Sequence, residues 1–460
     1  MYADYNINVN LNIHIESLNS KDNTVLNLDN HGFKFNGEDE TEKLKEIINN
    51  SENKLKVIII PSDKTLTIGN LKIDNDNFII RNYGKIKIGG CLQMEGNNSG
   101  IEGGIIEGNL KIAQLAENAV AGETTLKLDN NPFKEGDTVY IRKSLGALDG
   151  IQIKPKVISS NGNEITVDTP LTEDTLKNSY IGNYNWNSTI SFKGKGDFLT
   201  KCKLINCPGY AINVKGILNC NNVTIDKNGM DMISLEGELY ADNLNLGYSY
   251  ADSTQGISIL KDNSVLSLER SRIKRNNCDS DVYIYQELKG VKCRFVDCDF
   301  DGKYKSDVCF RPSGKDKGGN SILEMAIVRN ATQQSPIQSV DTLYFERCRM
   351  DDYNLGIIHL YKAQNLDNIY EINSYINNKC HFRNIGIITN NSSMLKVNKY
   401  EFNSCEFLND KYYDTSFLYS NKIGNMEGNI IFNECSFNKI FKDQVDSKNT
   451  LFNNCTVWVN

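Results

Sequence analysis

Cys348-Arg-Met-Asp-Asp, Cys380-His-Phe-Arg-Asn, Cys405-Glu-Phe-Leu-Asn, Cys435-Ser-Phe-Asn-Lys and Cys455-Thr-Val-Trp-Val share one pattern. A small residue is followed by any residue, an apolar residue, any residue and then usually a polar one. The same unit runs back through Cys298-Asp-Phe-Asp-Gly, Ser271-Arg-Ile-Lys-Arg, Val223-Thr-Ile-Asp-Lys and Cys202-Lys-Leu-Ile-Asn. Most neighbouring copies stand 20 to 32 residues apart, and one gap of 48 residues fits two turns. A period of this size, built of short strands and polar turns, predicts a β-solenoid whose equivalent side chains stack into ladders. Cysteine suits a ladder position as a small buried apolar residue, so these thiols read as packing rather than metal ligation.

Outward from the repeat, the composition agrees. The 460 residues exceed one ordinary domain, yet a single elongated repeat absorbs them. Asparagine occurs about sixty times, which suits many turns and few helices. No stretch approaches the roughly 18–20 apolar residues of a membrane span. A net charge of −7 argues against a general nucleic-acid binder. The 13 cysteines are odd in number and lack CxxC pairs, which predicts reduced thiols. Met1-Tyr-Ala-Asp-Tyr-Asn has neither a basic nor an apolar leader region, so synthesis in the cytoplasm without a signal peptide is expected.

Residues 6–15 alternate polar and apolar without a break and predict a strand. Leu44, Ile47 and Ile48 then mark one helix of about ten residues, with acids crowding its front end. Residues 113–185 break the period: Ala121-Gly-Glu-Thr-Thr-Leu-Lys-Leu, Gly136-Asp-Thr-Val-Tyr-Ile and Asn163-Glu-Ile-Thr-Val read as short strands of an inserted module. The chain divides into a strand or attachment segment (1–29), a helix cap with first coils (30–112), the insertion (113–185) and the main coil (186–460). The expected fold is all-β: a right-handed single-stranded parallel β-helix with a short N-terminal strand and helix cap and a small β-rich insertion.

His31-Gly-Phe-Lys-Phe-Asn-Gly-Glu-Asp-Glu-Thr, the short helix, Val57-Ile-Ile-Ile-Pro and Gly69-Asn-Leu-Lys-Ile together resemble the first segment of pectate-lyase-like β-helix proteins. Ile101-Glu-Gly-Gly-Ile-Ile-Glu-Gly is similar to their early coils, and the inserted Gly136 and Asn163 strands are similar to a module of bacteriophage tailspikes in that superfamily. The resemblance covers about residues 25–460. It implies a homotrimer that binds, and often cuts, bacterial surface polysaccharide; fold alone does not carry that chemistry.

The polygalacturonase-type motifs of the superfamily are mostly missing. Gly229-Met-Asp231 keeps one acid of the second motif, Arg272-Ile-Lys274 matches the last, and no glycine-flanked histidine exists between His31 and His359. That mechanism is therefore rejected and the Arg272 match is taken as chance. The histidines, His14, His31, His359 and His381, read as structural or exposed. Asp297-Cys-Asp-Phe-Asp-Gly302 opens like a calcium loop, but Val308 stands where the required Glu belongs. Period-two geometry instead makes Asp297, Asp299 and Asp301 an outward row facing Arg270, Arg272 and Lys274 on one neighbouring coil and Arg347 and Arg349 on the other.

A second alignment concerns catalysis. Asp231-Met-Ile-Ser-Leu, Gln255-Gly-Ile-Ser-Ile, Asp281-Val-Tyr-Ile-Tyr and Asp307-Val-Cys-Phe-Arg share one position at spacings of 24, 26 and 26. Coils stacked about 4.8 Å apart would bring Asp231, Asp281 and Asp307 to the separations glycosidases use, roughly 5–5.5 Å or 6.5–9.5 Å. Close carboxylates would raise one pKa, as a general acid requires. The same residues also read as turn formers before strands, as sugar binders without cleavage, or as a cation site. Gln255, Tyr283, Tyr285 and Arg311 are the candidate substrate-binding residues; Tyr248 and Tyr250 lie nearby, and no metal or cofactor is expected.

The reading for the whole chain is a phage or phage-tail-like receptor-binding tailspike that recognises a bacterial cell-surface glycan or envelope component. Depolymerase activity would be an added property. The alternatives are a free polysaccharide lyase or glycoside hydrolase, and a non-catalytic structural or adhesive β-helix. Expected partners are the surface polysaccharide or envelope receptor and a phage tail or baseplate protein, with no nucleic acid and no membrane insertion. The expected location is the virion tail, or otherwise extracellular.

Overall fold

The computed structural model describes residues 25–51, 56–142, 151–250 except 176, and 254–301 except 277 and 285–287. Beyond residue 301 it describes 326–327, 338–351, 356–360, 369–383, 386–390, 394–408, 426–427, 429–439 and 450–458. The expected strand at residues 6–15 lies outside the described residues.

Short strands recur in threes. One parallel face starts with Val57–Ile60, Ile79–Asn82, Gly100–Glu102 and Lys195–Thr200. A second starts with Thr65–Ile68, Lys85–Ile88, Ile105–Glu107 and Lys203–Ile205. The long strands Ile217–Asp226 and Glu238–Tyr248 cross the corner between these two faces and join them. Among the described residues the third face has ten strands, from Leu71–Ile73 to Gly386–Asn390. Parallel strands joined by such crossovers wind right-handed, so the fold is a right-handed single-stranded parallel β-helix. Along each strand alternate residues enter one continuous core, as with Ile86 and Ile88 between the half-buried and exposed lysines of Lys85–Ile88. The helix Thr41–Asn50 adds Leu44 and Ile48 to that core at its start.

The strand register explains the spacing of the repeat. Thr224 pairs with Asn245 and Asn245 with Arg272, so one coil, that of Leu244, lies between the Val223 and Ser271 copies. Asp299 pairs directly with Arg349, so the long stretch between Cys298 and Cys348 is a single coil. Arg272 meets Asp299 at 3.0 Å, and Arg347 grips Asp297 through Nε at 2.6 Å and Nη2 at 2.9 Å. Arg272 therefore belongs to a surface charge ladder.

The residue before each small residue of the repeat has left-handed backbone. Lys201, Asn222, Asn243, Arg270, Asp297, Arg347, Lys379, Ser404, Glu434 and Asn454 have φ between 46° and 55°. Such a conformation costs a non-glycine residue roughly 1–2 kcal/mol. Hydrogen bonds offset it: the Arg347 amide donates to Asn378 O, Lys379 to Asn403 O and Ser404 to Asn433 O, each along the stack. The buried thiol that follows donates to carbonyls around the corner. Cys348 reaches Phe295 O and Glu346 O, Cys405 reaches Asn377 O and Asn403 O, and Cys435 reaches Phe402 O and Asn433 O, all at 3.3–3.5 Å. On the Ser271 rung a hydroxyl makes the same bond, to Glu269 O at 2.8 Å. The small residue is thus a hydrogen-bond donor as well as packing. The 11 cysteines whose side chains are described are free thiols, and burial raises Cys202 to about 12 and Cys207 to about 11.

Between Gly108 and Asn183 the chain leaves the coil. Its strands form a four-stranded and a three-stranded sheet, all antiparallel, around a separate core that includes Leu115, Leu126, Val139, Ile141, Ile165 and Ile181. A tyrosine patch fastens this module to the coil: Tyr140 and Tyr184 pack with Met230, and Tyr180 meets Tyr250 edge-on at 5.4 Å. The coil then closes over the excursion, with Phe198 in register with Gly100. At that seam the fully buried Asp197 accepts the Ser99 amide at 3.1 Å through Oδ1, and its Oδ2 has no hydrogen-bond donor. Burial pushes the Asp197 carboxyl up to about 6 against the pull of the Ser99 and Gly194 amides.

Candidate functional site

Two neighbouring places on the third face bear on function: the aspartate row read from the sequence, and a cleft that the sequence did not reveal. In the row, Asp231 is 3% exposed and accepts the Ser258 hydroxyl at 2.6 Å. The buried Asn228 holds its loop, donating through Nδ2 to Gly209 O, Met230 O and Asp231 O, each at 2.8 Å. The Ser249 hydroxyl adds a bond to Met230 O at 2.9 Å.

The row itself needs correcting. Gln255 pairs with Ser280, and Ile257 with Val282, so position 281 takes the register of Gly256 and stands one residue off the Asp231–Gln255 row. The demand of the core sets this register beyond an irregularity at Thr254/Gln255. Val282 and Ile284 must lie over Ile257 and Ile259, whereas the aligned pentapeptides put Tyr283 there. A slip of one residue moves every side chain to the other face.

Tyr283 instead stands over Ser258 and is 8% exposed, so it presents no open ring face. Gln255 and Asp281 lie in the strands Thr254–Ile259 and Cys278–Ile284. Tyr285, Asp307 and Arg311 fall outside the described residues. Tyr248 and Tyr250, 4.8 Å apart and edge-on, belong to the patch that fastens the insertion.

The cleft lies at the start of the third-face strands, where the chain returns from the insertion. It encloses about 510 Å³, within the range of small-molecule sites, and its walls include Asn70, Gln93, Asn109, Asn185, Asn187 and Ser188. Ser188 pairs with Tyr210, and Asp231 stands two residues before Ile233 as Tyr210 stands before Ile212, its register partner. Asp231 is therefore one coil beyond Tyr210, about 4.8 Å along the axis. Trp186, between two cleft residues, is 52% exposed, and its ring lies 6.0 Å from that of Tyr210.

Turn chemistry presents the amides. Asn70 Oδ1 accepts the Cys91 amide, Asn109 Nδ2 donates to Gly89 O and Asn185 Oδ1 accepts the Asn187 amide, each at 2.9 Å. These bonds leave the Asn70 and Asn185 side-chain nitrogens and the whole Asn187 side chain available for a ligand. Among the described residues none of the lining side chains carries a charge. Burial raises the Cys91 thiol, which keeps it protonated beside Ser188. Lys72 flanks Gln93 in register, but Glu95 at 3.0 Å and Asp74 at 2.9 Å neutralise it. The segment Asn183-Tyr-Asn-Trp-Asn187, aromatics interleaved with amides at the end of the insertion, was the available sequence signal.

Among the described residues no group of three or more His, Cys, Asp or Glu side chains is placed to hold a metal ion, and no helix is long and apolar enough to cross a membrane.

No protein-family model matches the chain, and no curated protein matches it in sequence. Solved structures do. The Gp54 tailspike of Acinetobacter baumannii bacteriophage AP22, solved with A. baumannii capsular saccharide, is 11% identical, with 93% of this chain and 79% of that one covered and a TM-score of 0.29. The A-module of the Azotobacter vinelandii mannuronan C-5 epimerase AlgE4 is 8% identical, covering 95% and 97%, with a TM-score of 0.44. A Thermotoga maritima exopolygalacturonase is 10% identical, covering 94% and 91%, with a TM-score of 0.43. Nothing of these proteins' chemistry carries over at such identities.

Proposed function

We propose that this protein is a receptor-binding tailspike whose ligand is a bacterial cell-surface glycan, held in the cleft beside Trp186. The observation that carries the reading is the pairing of an exposed indole with a row of side-chain amides and hydroxyls. The indole offers an apolar face to a sugar ring, and the amides offer donors and acceptors to its hydroxyls. In this reading the chain forms a homotrimer on a phage tail or baseplate.

The test is calorimetric titration of the full chain with envelope polysaccharide purified from a panel of bacteria. Wild type should bind at least one sample, and Trp186→Ala should weaken it tenfold or more, roughly 1.4 kcal/mol. Binding of no sample would refute the reading, and light scattering checks the trimer.

A depolymerase reading rests on Asp231, the buried carboxyl one coil beyond Tyr210. It predicts reducing-end or unsaturated product from the bound polysaccharide, lost in Asp231→Asn with binding retained.

A further inference from the structure

We infer that the cleft beside Trp186 selects uncharged glycan segments and rejects uronate- or sialate-bearing ones; the inference rests on the glycan-binding reading and narrows it. The lining is amides, hydroxyls, the protonated Cys91 thiol, Pro208 and glycine backbone, without a charged side chain among the described residues. A carboxylate sugar entering such a site would lose water and gain no cation, and burying an ion without a partner is costly.

The nearest cations are already engaged. Glu95 lies between Lys72 and Lys193 and bonds both, and these lysines hold its carboxyl below the usual range, Lys193 most strongly. The triad is thus closed on itself at the rim. The net charge of −7 also disfavours approach of a polyanion at low salt. A neutral pyranose meets none of these costs: Asn70, Asn185 and Asn187 supply amide nitrogens that no group among the described residues occupies, and Trp186 supplies the ring face.

The deciding experiment prints oligosaccharides from bacterial envelopes as an array, sorted by charge, and applies the full chain as wild type, Trp186→Ala and Asn187→Ala. Both substituted side chains are exposed, so folding is retained, with circular dichroism as the control.

Binding confined to uncharged glycans, unchanged between about 20 mM and about 200 mM salt and weakened at least tenfold by both substitutions, supports the inference. Binding of acidic glycans that falls steeply over the same salt range overturns it while leaving the glycan-binding reading intact. Uncharged ligands that bind all three proteins equally also overturn it, because the site is then elsewhere. No binding in either class refutes the underlying reading itself.

Discussion

The coils after residue 290 and those before residue 250 solve the same packing problem with different materials. The later coils stack like on like. Phe402, Phe432 and Phe452 lie 4.9 and 5.2 Å apart, and Phe382, Phe407 and Phe437 lie 4.7 and 5.2 Å apart. Asn403, Asn433 and Asn453 each donate to the asparagine of the preceding coil at 2.8–2.9 Å. The earlier coils fill their core with aliphatic rungs in place of aromatic ones, such as the ladder Ile58, Ile80, Ile101 and Leu199. There the inserted module interrupts the stack, and there the cleft opens. Uniform ladders make a rod, while breaks in the ladder make a place for a ligand.

Removing a rung of the aromatic stack should break this contrast hardest. Phe402 touches Tyr375, Phe382, Tyr400, Phe407 and Phe432, so Phe402→Ala should cost about 3–5 kcal/mol in urea unfolding. In a solenoid each coil leans mainly on its neighbours, so the loss should fall on the later coils while Trp186 beside the cleft keeps its native fluorescence. Simultaneous loss of both signals would show one cooperative unit instead.

Next in size is the seam under the insertion. Asp197 is raised from 3.8 to about 6, so folding takes up a proton. Its stabilising contribution is therefore present at low pH and lost as pH rises from about 4 to about 6, by roughly 3 kcal/mol. Asp197→Asn should retain the acceptor for Ser99 and lack that part of the pH dependence, becoming the more stable form above pH 6. Parallel urea midpoints for the two proteins from pH 4 to 8 would contradict it.

The cysteine rungs should tolerate a hydroxyl, because Ser271 already serves as one. Cys405→Ser is expected to lose less than about 1 kcal/mol, and Cys405→Val to lose more by leaving Asn403 O without its donor. Equal losses would reduce the thiols to packing alone. Smallest of all is the surface pair. Arg347→Met should cost under about 1 kcal/mol at low salt and less still in 1 M salt, since both partners are well exposed.

Much of the fold was legible because a solenoid writes its period into the chain. The spacing of Cys202, Val223, Ser271 and Cys298 and the helix marked by Leu44 and Ile48 were readable by counting, and the pairing of Arg347 with Asp297 followed from the same arithmetic. The left-handed corner before each small residue was not readable, since Lys, Arg, Asn, Asp, Ser and Glu all occupy it. Its cause is stacking, not residue type. The aspartate row failed where counting is weakest. The register of Cys278–Ile284 is decided by which side chains the core accepts: Val282 and Ile284 lie over Ile257 and Ile259, and that leaves Asp281 one residue off the row.

Sequence by itself determined the parallel coil, the helix at its start, the thiols held reduced in a ladder and the charge pattern on the outer face, because each is periodic and local. Tertiary structure alone decided that Tyr248 and Tyr250 dock the inserted module, that Asp231 is buried beside Ser258, and that Asn70, Asn109 and Asn187 meet around one cleft. Those residues come from different coils and from both ends of the insertion, and only the register of stacked strands brings them together.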